Sequence, residues 1–588
     1  MHPSISPRKF FPALGLALMA LCGAADAATP AWKTQLPAPA QWHRLTGIGT
    51  LIVGTGQGLL SLDPDNGKLL WQRKDLANRS QFDVREIEGM PVVVVTAEGK
   101  AKAGLTAVNF VTGETAWQSP AGTGSSLGLF PVADMNLIVQ FMLAGKDSPD
   151  GAGVYVRGLQ ASDGKELWRT RFRDARQPLQ LHAAEAGAKS GSRQDLSGHQ
   201  EPLVAEGVMY VPFDGIAALD LGSGRVLWDR RFQTADKDYK RAYPAPLLDG
   251  SLVLAGGRDG VLYALETSSG AVRWQSPRVK SGLVSELVAT GDTVYARLGG
   301  NFYSQKAGRF TLDAPVGVVA INKADGAQRW AYLGAKDGIT NLVYDPARKV
   351  LAFADAYSLI GLQSGPGAKP IEAFKVPIEF KRKISGSEMT ATGIKLASGF
   401  LGGGLAGALQ GGLSGSGDKD RLDVPVAMQP WQGGQLLVRG QQHLLMFDTA
   451  ARRIAWSTYY PAPGSSGFAL AAMAALTMVA TAADTSAQVQ NYAAGLGQGV
   501  VGAWGGLDDL ASRRYSASKD AGRYTYVLTE VDEGGRKGVG IMAVDMATGA
   551  PATQILLGDK EPDYRVDDVV GRLYYFKGHR DVSAFALR

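Results

Sequence analysis

The chain has 588 residues and a formal net charge of +6. Positive charge this weak, spread along the chain, argues against a nucleic-acid partner. The single cysteine, Cys22, falls in a leader segment, which excludes disulfides, thiol chemistry and thiolate metal sites from the mature protein. The 75 glycines exceed the roughly 40 of an average chain this long, an excess suited to many tight turns between short strands.

The N-terminus opens with a polar, basic segment, then an apolar run from Phe10 to about Ala25, then Ala25-Asp26-Ala27. This pattern predicts a secretory signal over residues 1–27 with cleavage after Ala27. Leu21 stands before Cys22, where a lipid-anchored protein needs a small residue. The mature chain, 28–588, is therefore expected to be soluble and periplasmic, with association with the outer membrane left open.

From there a repeat organises the sequence. "LLSLDPDNGKLLW" ends at Trp71, "LTAVNFVTGETAW" at Trp117, "VRGLQASDGKELW" at Trp168, "IAALDLGSGRVLW" at Trp228, "LYALETSSGAVRW" at Trp274 and "VVAINKADGAQRW" at Trp330. Glycine (67, 113, 164, 224, 270, 326) stands four residues before each tryptophan, and a polar residue eight before it. A degenerate copy, "SLIGLQSGPGAKPIEAF", follows. Two worn copies come next: Arg452 replaces glycine before Trp456, and Thr553 replaces tryptophan after Asp545 and Gly549.

Each unit reads as a hairpin, with alternating apolar residues for a half-buried strand and a turn whose glycine needs positive φ. A further strand pair precedes each hairpin. Four strands per unit at this spacing predict a closed all-β propeller of four-stranded antiparallel blades, eight to ten in number. The tryptophans read as wedges between blades. The C-terminal "RLYYFKGHRDVSAFALR" lacks a fourth strand, and "TPAWKTQL" with Trp32 supplies one, so the first strand is expected to close the ring.

Long insertions interrupt this pattern at 173–199, 377–423 and 462–520, with smaller ones near 144–153 and 299–315. All are expected on one face. Leu396–Gly417 holds nine glycines, with Gly399, Gly403, Gly407, Gly411 and Gly415 at every fourth position. In a helix those nine glycines cost roughly 9 kcal/mol, and burying Phe400, Leu405 and the neighbouring leucines returns a similar amount. Such a segment is helical only when its glycine stripe is packed. The Ala/Gly-rich 462–520 segment, with Trp504, reads as a helical hairpin that could receive it. Three readings stand: an intramolecular helical cap, a membrane-contacting or oligomerising element, and a linker.

Other motifs carry little chemistry. Gly402–Gly407 and Gly497–Gly502 match G-x-G-x-x-G but lack the preceding strand a dinucleotide site needs. Gly124–Gly128 matches the nucleophile-elbow pattern around Ser126 without a following helix. The histidines show no metal spacing. No catalytic, cofactor-binding or metal-ligating residue is assigned.

The motif A-x-D-x-x-[TS]-G-x-x-x-W, clearest in "AALDLGSGRVLW", resembles the tryptophan-docking repeat of quinoprotein (PQQ-type) β-propellers, and eight of the eleven tryptophans occupy its last position. That family includes PQQ-dependent dehydrogenases and cofactor-free scaffolds similar to BamB of outer-membrane barrel assembly. The mature chain has neither the adjacent cysteine pair of many PQQ alcohol dehydrogenases nor a Cys-x-x-Cys-His haem motif. The resemblance therefore implies a non-catalytic scaffold without a cofactor, partnered by envelope proteins. A PQQ- and calcium-dependent dehydrogenase of alcohols or sugars is the alternative, and a structural envelope protein with membrane-contacting insertions the second.

Overall fold

The computed structural model describes residues 28–587 except 97–103, 175–178, 180–181, 184–193, 197–198, 233–242, 280–283, 300, 305–308, 313–314, 337, 379, 381–424, 426, 441–442, 461–521 and 560–561. The signal at 1–27 and the helical expectations for 377–423, apart from Pro377, Ile378 and Phe380, and for 462–520 lie outside the described residues. So do Gly399, Phe400, Gly403, Leu405, Gly407, Gly411, Gly415 and Trp504.

The described chain forms ten antiparallel sheets arranged as a propeller. Blade 1 consists of strands Ala40–Leu45, Leu51–Thr55, Gly58–Leu62 and Leu69–Arg73, hydrogen-bonded in chain order. The two middle strands are buried along their whole length, while the fourth buries one residue in its five, Trp71. Blades 2 to 6 repeat this order from Val84–Glu86 to Gln328–Tyr332.

Blade 7 comprises Val343–Asp345, Val350–Ala354, Ser358–Gln363 and Glu372–Pro377, and blade 8 comprises Ala427–Trp431, Gln435–Arg439, His443–Asp448 and Arg453–Tyr459. Blade 9 has three strands among the described residues, Tyr524–Glu533, Arg536–Asp545 and Pro551–Leu556.

Blade 10 closes the ring. Strands Tyr564–Asp567, Arg572–Lys577 and Asp581–Ala586 come from the C-terminus, and Trp32–Gln35 pairs with the last of them in the fourth place. Trp32 stands opposite Ala584. This exchange removes the free edges that an open sheet would present.

Ten hydrophobic clusters hold the assembly together, and each joins two neighbouring blades. Leu51, Val53 and Leu60 of blade 1 pack with Tyr574, Phe576 and Val582 of blade 10, so the last interface is as apolar as the others. No blade buries both of its faces alone, as expected of a stacked repeat.

Two of the insertions carry an antiparallel strand pair. His182–Ala183 pairs with Gln194–Asp195, and Asn301–Ser304 pairs with Arg309–Leu312 between the second and third strands of blade 6. Leu179 and Leu196 of the first insertion join the cluster between blades 3 and 4.

Candidate functional site

The repeated hairpin builds a docking slot at the rim of each blade. In blade 1, the Gly67 N–H donates to the Asp63 carbonyl at 2.9 Å, and the Asp63 carboxylate accepts from the Asp65 N–H at 2.8 Å. Gly67 takes φ +70°, which an L-residue enters only at a cost. The two strands then pair with a one-residue register shift that sets Trp71 opposite Ser61. The same shift recurs in blades 2 to 6, where Ala107, Gly158, Ala218, Ala264 and Ala320 face Trp117, Trp168, Trp228, Trp274 and Trp330.

Seven indoles then reach into the next blade. Trp32 donates to the Pro64 carbonyl at 2.9 Å, Trp71 to Phe110 at 2.9 Å, Trp117 to Ala161 at 2.8 Å and Trp168 to Leu221 at 2.9 Å. Trp228 donates to Thr267 at 2.9 Å, Trp274 to Lys323 at 2.6 Å and Trp456 to Met546 at 3.0 Å. The acceptor always follows the polar residue of the motif.

The ring of each of these tryptophans lies over the motif glycine of the next blade. A Cβ added at Gly67, Gly113, Gly164, Gly224, Gly270, Gly326 or Gly549 would stand 2.2–2.6 Å from the indole. Each glycine thus serves the turn and the close approach together. Trp330 is buried as well, its ring 5.8 Å from that of Tyr295 in its own blade.

Three junctions depart from this scheme, and the first is that of blades 6 and 7, where among the described residues no glycine of the facing turn lies against Trp330. Between blades 9 and 10 Thr553 takes the tryptophan position opposite Ala543, and blade 10 faces it without the motif turn, because its third and fourth strands, Asp581–Ala586 and Trp32–Gln35, come from opposite ends of the chain. There Ile541, Ile555, Leu573 and Phe585 pack the interface.

Between blades 7 and 8 Phe374 stands opposite Gly361, where the other blades carry tryptophan, and packs 5.0 Å from Phe447. The facing glycine position is Arg452, exposed and at φ +53°. This junction holds an open groove of about 510 Å³, with Tyr344, Phe374, Trp431, Thr449, Arg348 and Arg452 in its walls.

The seam between blades 10 and 1 carries a polar cluster of a different kind. His43 stacks on Phe576 with centroids 3.9 Å apart, and its Nε2 lies 2.7 Å from Asp563 Oδ1. The other oxygen of Asp563 lies 3.1 Å from His579 Nδ1, and Arg565 donates to the His43 carbonyl at 3.0 Å. Burial pulls the His43 imidazole below its usual range, against the pull of Asp563. Burial also pushes the Asp563 carboxyl upward, but the hydrogen bonds and charges of the two histidines outweigh it and hold it low. His43 and Asp563 are 520 residues apart in sequence, so no local motif joined them.

Buried arginines bind within and between blades. Arg157 reaches Gln140 at 2.8 Å and Glu166 at 3.0 Å, and Arg297 reaches Glu286 at 2.8 Å. Arg439 spans to blade 9, donating to Thr525 Oγ1 at 2.6 Å and the Tyr526 carbonyl at 3.0 Å, and burial lowers its pKa to about 10.

Ser126 lies in a strand and accepts from Gln140 at 3.1 Å, with no strand-to-helix turn around it. Among the described residues, no three His, Cys, Asp or Glu side chains are grouped to hold a metal ion. No helix among them is long and apolar enough to cross a membrane.

Similarities to known proteins can be set against this geometry. A putative dehydrogenase, XoxF, from Paracoccus denitrificans is 31% identical over 149 residues, covering 23% of this chain and 23% of that protein. The outer membrane protein assembly factor BamB of Yersinia pestis is 25% identical over 248 residues, covering 40% of this chain and 55% of the relative. The chain thus spans under a quarter of the first relative and just over half of the second. The crystal structure of BamB from Moraxella catarrhalis is similar at 14% identity with a TM-score of 0.32, covering 71% of this chain and 97% of that one. Residues 22–183 and 152–352, together more than half of the sequence, match the family described as outer membrane protein assembly factor BamB. The chain belongs to that family, as a PQQ-type repeat protein of ten blades.

Proposed function

We propose that this protein is an exported, non-catalytic scaffold of the bacterial envelope that makes protein–protein contacts in outer-membrane assembly. The match of residues 22–352 to the BamB family carries this reading. The rim adds to it. Several large apolar side chains that remain exposed lie on or beside the fourth strands, among them Leu69, Leu167, Val272, Ile371 and Tyr459. Apolar residues beside unpaired strand edges are suited to binding another chain.

The test is cross-linking of the tagged protein in intact cells, followed by identification of what is captured. Recovery of outer-membrane assembly proteins, with reduced outer-membrane barrel content when the gene is depleted, is the expected result. The partial identity to a putative dehydrogenase favours one rival, PQQ-dependent oxidation of alcohols or sugars. Dye reduction by purified protein supplied with PQQ and calcium, beside unchanged barrel content on depletion, would overturn the scaffold reading.

A further inference from the structure

We propose that the groove between blades 7 and 8 binds a tryptophan side chain of a partner polypeptide, flanked there by acidic residues. At seven junctions the chain docks an indole of its own. Each offers the same three things: a carbonyl after the motif's polar residue, a surface for the ring, and a hairpin turn beneath it. Blade 8 keeps the hairpin and the carbonyl. Asp448 is its polar residue, its carboxylate accepts from the Ala450 and Ala451 N–H groups at 2.9 Å each, and Thr449 supplies the equivalent carbonyl. Among the described residues no indole donates to it.

Phe374, in register with the tryptophans of the other blades, has a smaller ring and no N–H to offer, and it lies against Phe447. The groove is therefore matched to an indole that the preceding blade does not provide. Tyr344, Trp431 and Phe374 supply aromatic walls, and such walls favour an aromatic guest.

Charge gives the second half of the recognition. Arg452 replaces the glycine at the mouth of the groove and is exposed. Arg348 stands on the opposite wall, 2.8 Å from Asp345. Two guanidinium groups and one carboxylate leave the mouth net positive, which favours carboxylates beside the incoming tryptophan. This inference extends the scaffold reading by giving one contact its chemistry.

The experiment is fluorescence anisotropy with a labelled short peptide carrying one tryptophan between aspartates, titrated with the full chain. Saturable binding is expected, weakened about thirtyfold when the peptide tryptophan is alanine, the scale of a hot-spot truncation. The variant Phe374→Trp/Arg452→Gly rebuilds the chain's own docking pair and should lose the peptide while melting no lower than the parent. Equal binding of the tryptophan and alanine peptides, or of parent and double variant, overturns the proposal. A Trp504→Ala variant separates partner from self. If it binds the peptide and the parent does not, the guest is the chain's own indole and the partner assignment falls. Absence of binding in both also overturns it. Envelope cross-linking reports on the scaffold independently, so either reading can fail alone.

Discussion

The junction of blades 3 and 4 and that of blades 7 and 8 share a backbone plan and differ in one pair of residues. At the first, Trp168 covers Gly224 and donates to the Leu221 carbonyl. At the second, Phe374 and Arg452 occupy those places, and a groove of about 510 Å³ remains. Both halves change together here, whereas between blades 6 and 7 Trp330 is kept with no motif glycine beneath it, and between blades 9 and 10 Thr553 takes the tryptophan position with no motif turn facing it. The physical reason is complementarity. An indole laid over the turn needs a facing residue without Cβ, and a glycine at positive φ gains little once no ring covers it. Fold and docking are therefore separable. The register survives without the pair, and the pair sets how tightly a junction is sealed.

The largest expected effect comes from deleting an indole. Trp117→Ala removes a buried ring and leaves the Ala161 carbonyl without its donor. Such truncations cost about 3–5 kcal/mol. Phe374→Ala should cost less, because Phe374 is only half-buried and accepts no such duty. Urea unfolding of the two variants checks the order. Equal losses would mean that the tryptophan pair adds nothing beyond ordinary packing.

Next comes the glycine. Gly224→Val combines an unfavourable φ with a Cβ placed 2.2 Å from the Trp168 ring. Left-handed strain costs about 1–2 kcal/mol, and overpacking adds about 1–3 kcal/mol. Arg452→Ala, at the corresponding exposed position, should stay within about 0.5 kcal/mol of the parent. A small loss at Gly224 would show that the blades slide apart easily.

These contrasts explain what could be read from the sequence. The spacing of Gly67 and Trp71, repeated through Gly326 and Trp330, encodes turn, register and wedge within one short segment. Blade architecture and closure through Trp32 were therefore legible. The sequence also displayed Arg452 and Thr553 as departures, but not what they do. A groove between blades depends on residues such as Tyr344, Phe374 and Trp431, which belong to different strands of two blades. The seam of His43, Asp563 and His579 joins the two ends of the chain. No periodicity reports contacts of that range.

A smaller effect, of opposite sign, is expected from repair. Phe374→Trp/Arg452→Gly relieves the left-handed strain at Arg452 and adds buried ring surface. Stabilising changes of this kind are commonly worth about 0.5–2 kcal/mol. The midpoint of unfolding should rise for the pair and fall for Phe374→Trp alone, since Arg452 would then meet the ring. If the single variant gains as much as the pair, the glycine is not required beneath the indole.

The smallest effect is expected at the seam, where blades 10 and 1 add a titrating group to an ordinary Trp32–Gly67 dock. His43 is buried, and its Nε2 faces Asp563 while its Nδ1 finds no acceptor among the described residues. The neutral ring, donating from Nε2, satisfies this arrangement. Protonation would place a second N–H in apolar surroundings beside Arg565, and burial accordingly lowers the His43 pKa below 6.5. The unfolded chain then binds the proton first, so stability falls as the pH drops below 6.5 towards the folded value. Asp563, also held low, extends the loss as the pH falls below 3.8. His43→Gln keeps a donor near Asp563 and removes the titration. Unfolding midpoints measured across the acid range should slope with pH in the parent and flatten just below pH 6.5 in the variant. Parallel slopes would assign the acid sensitivity to groups away from the seam.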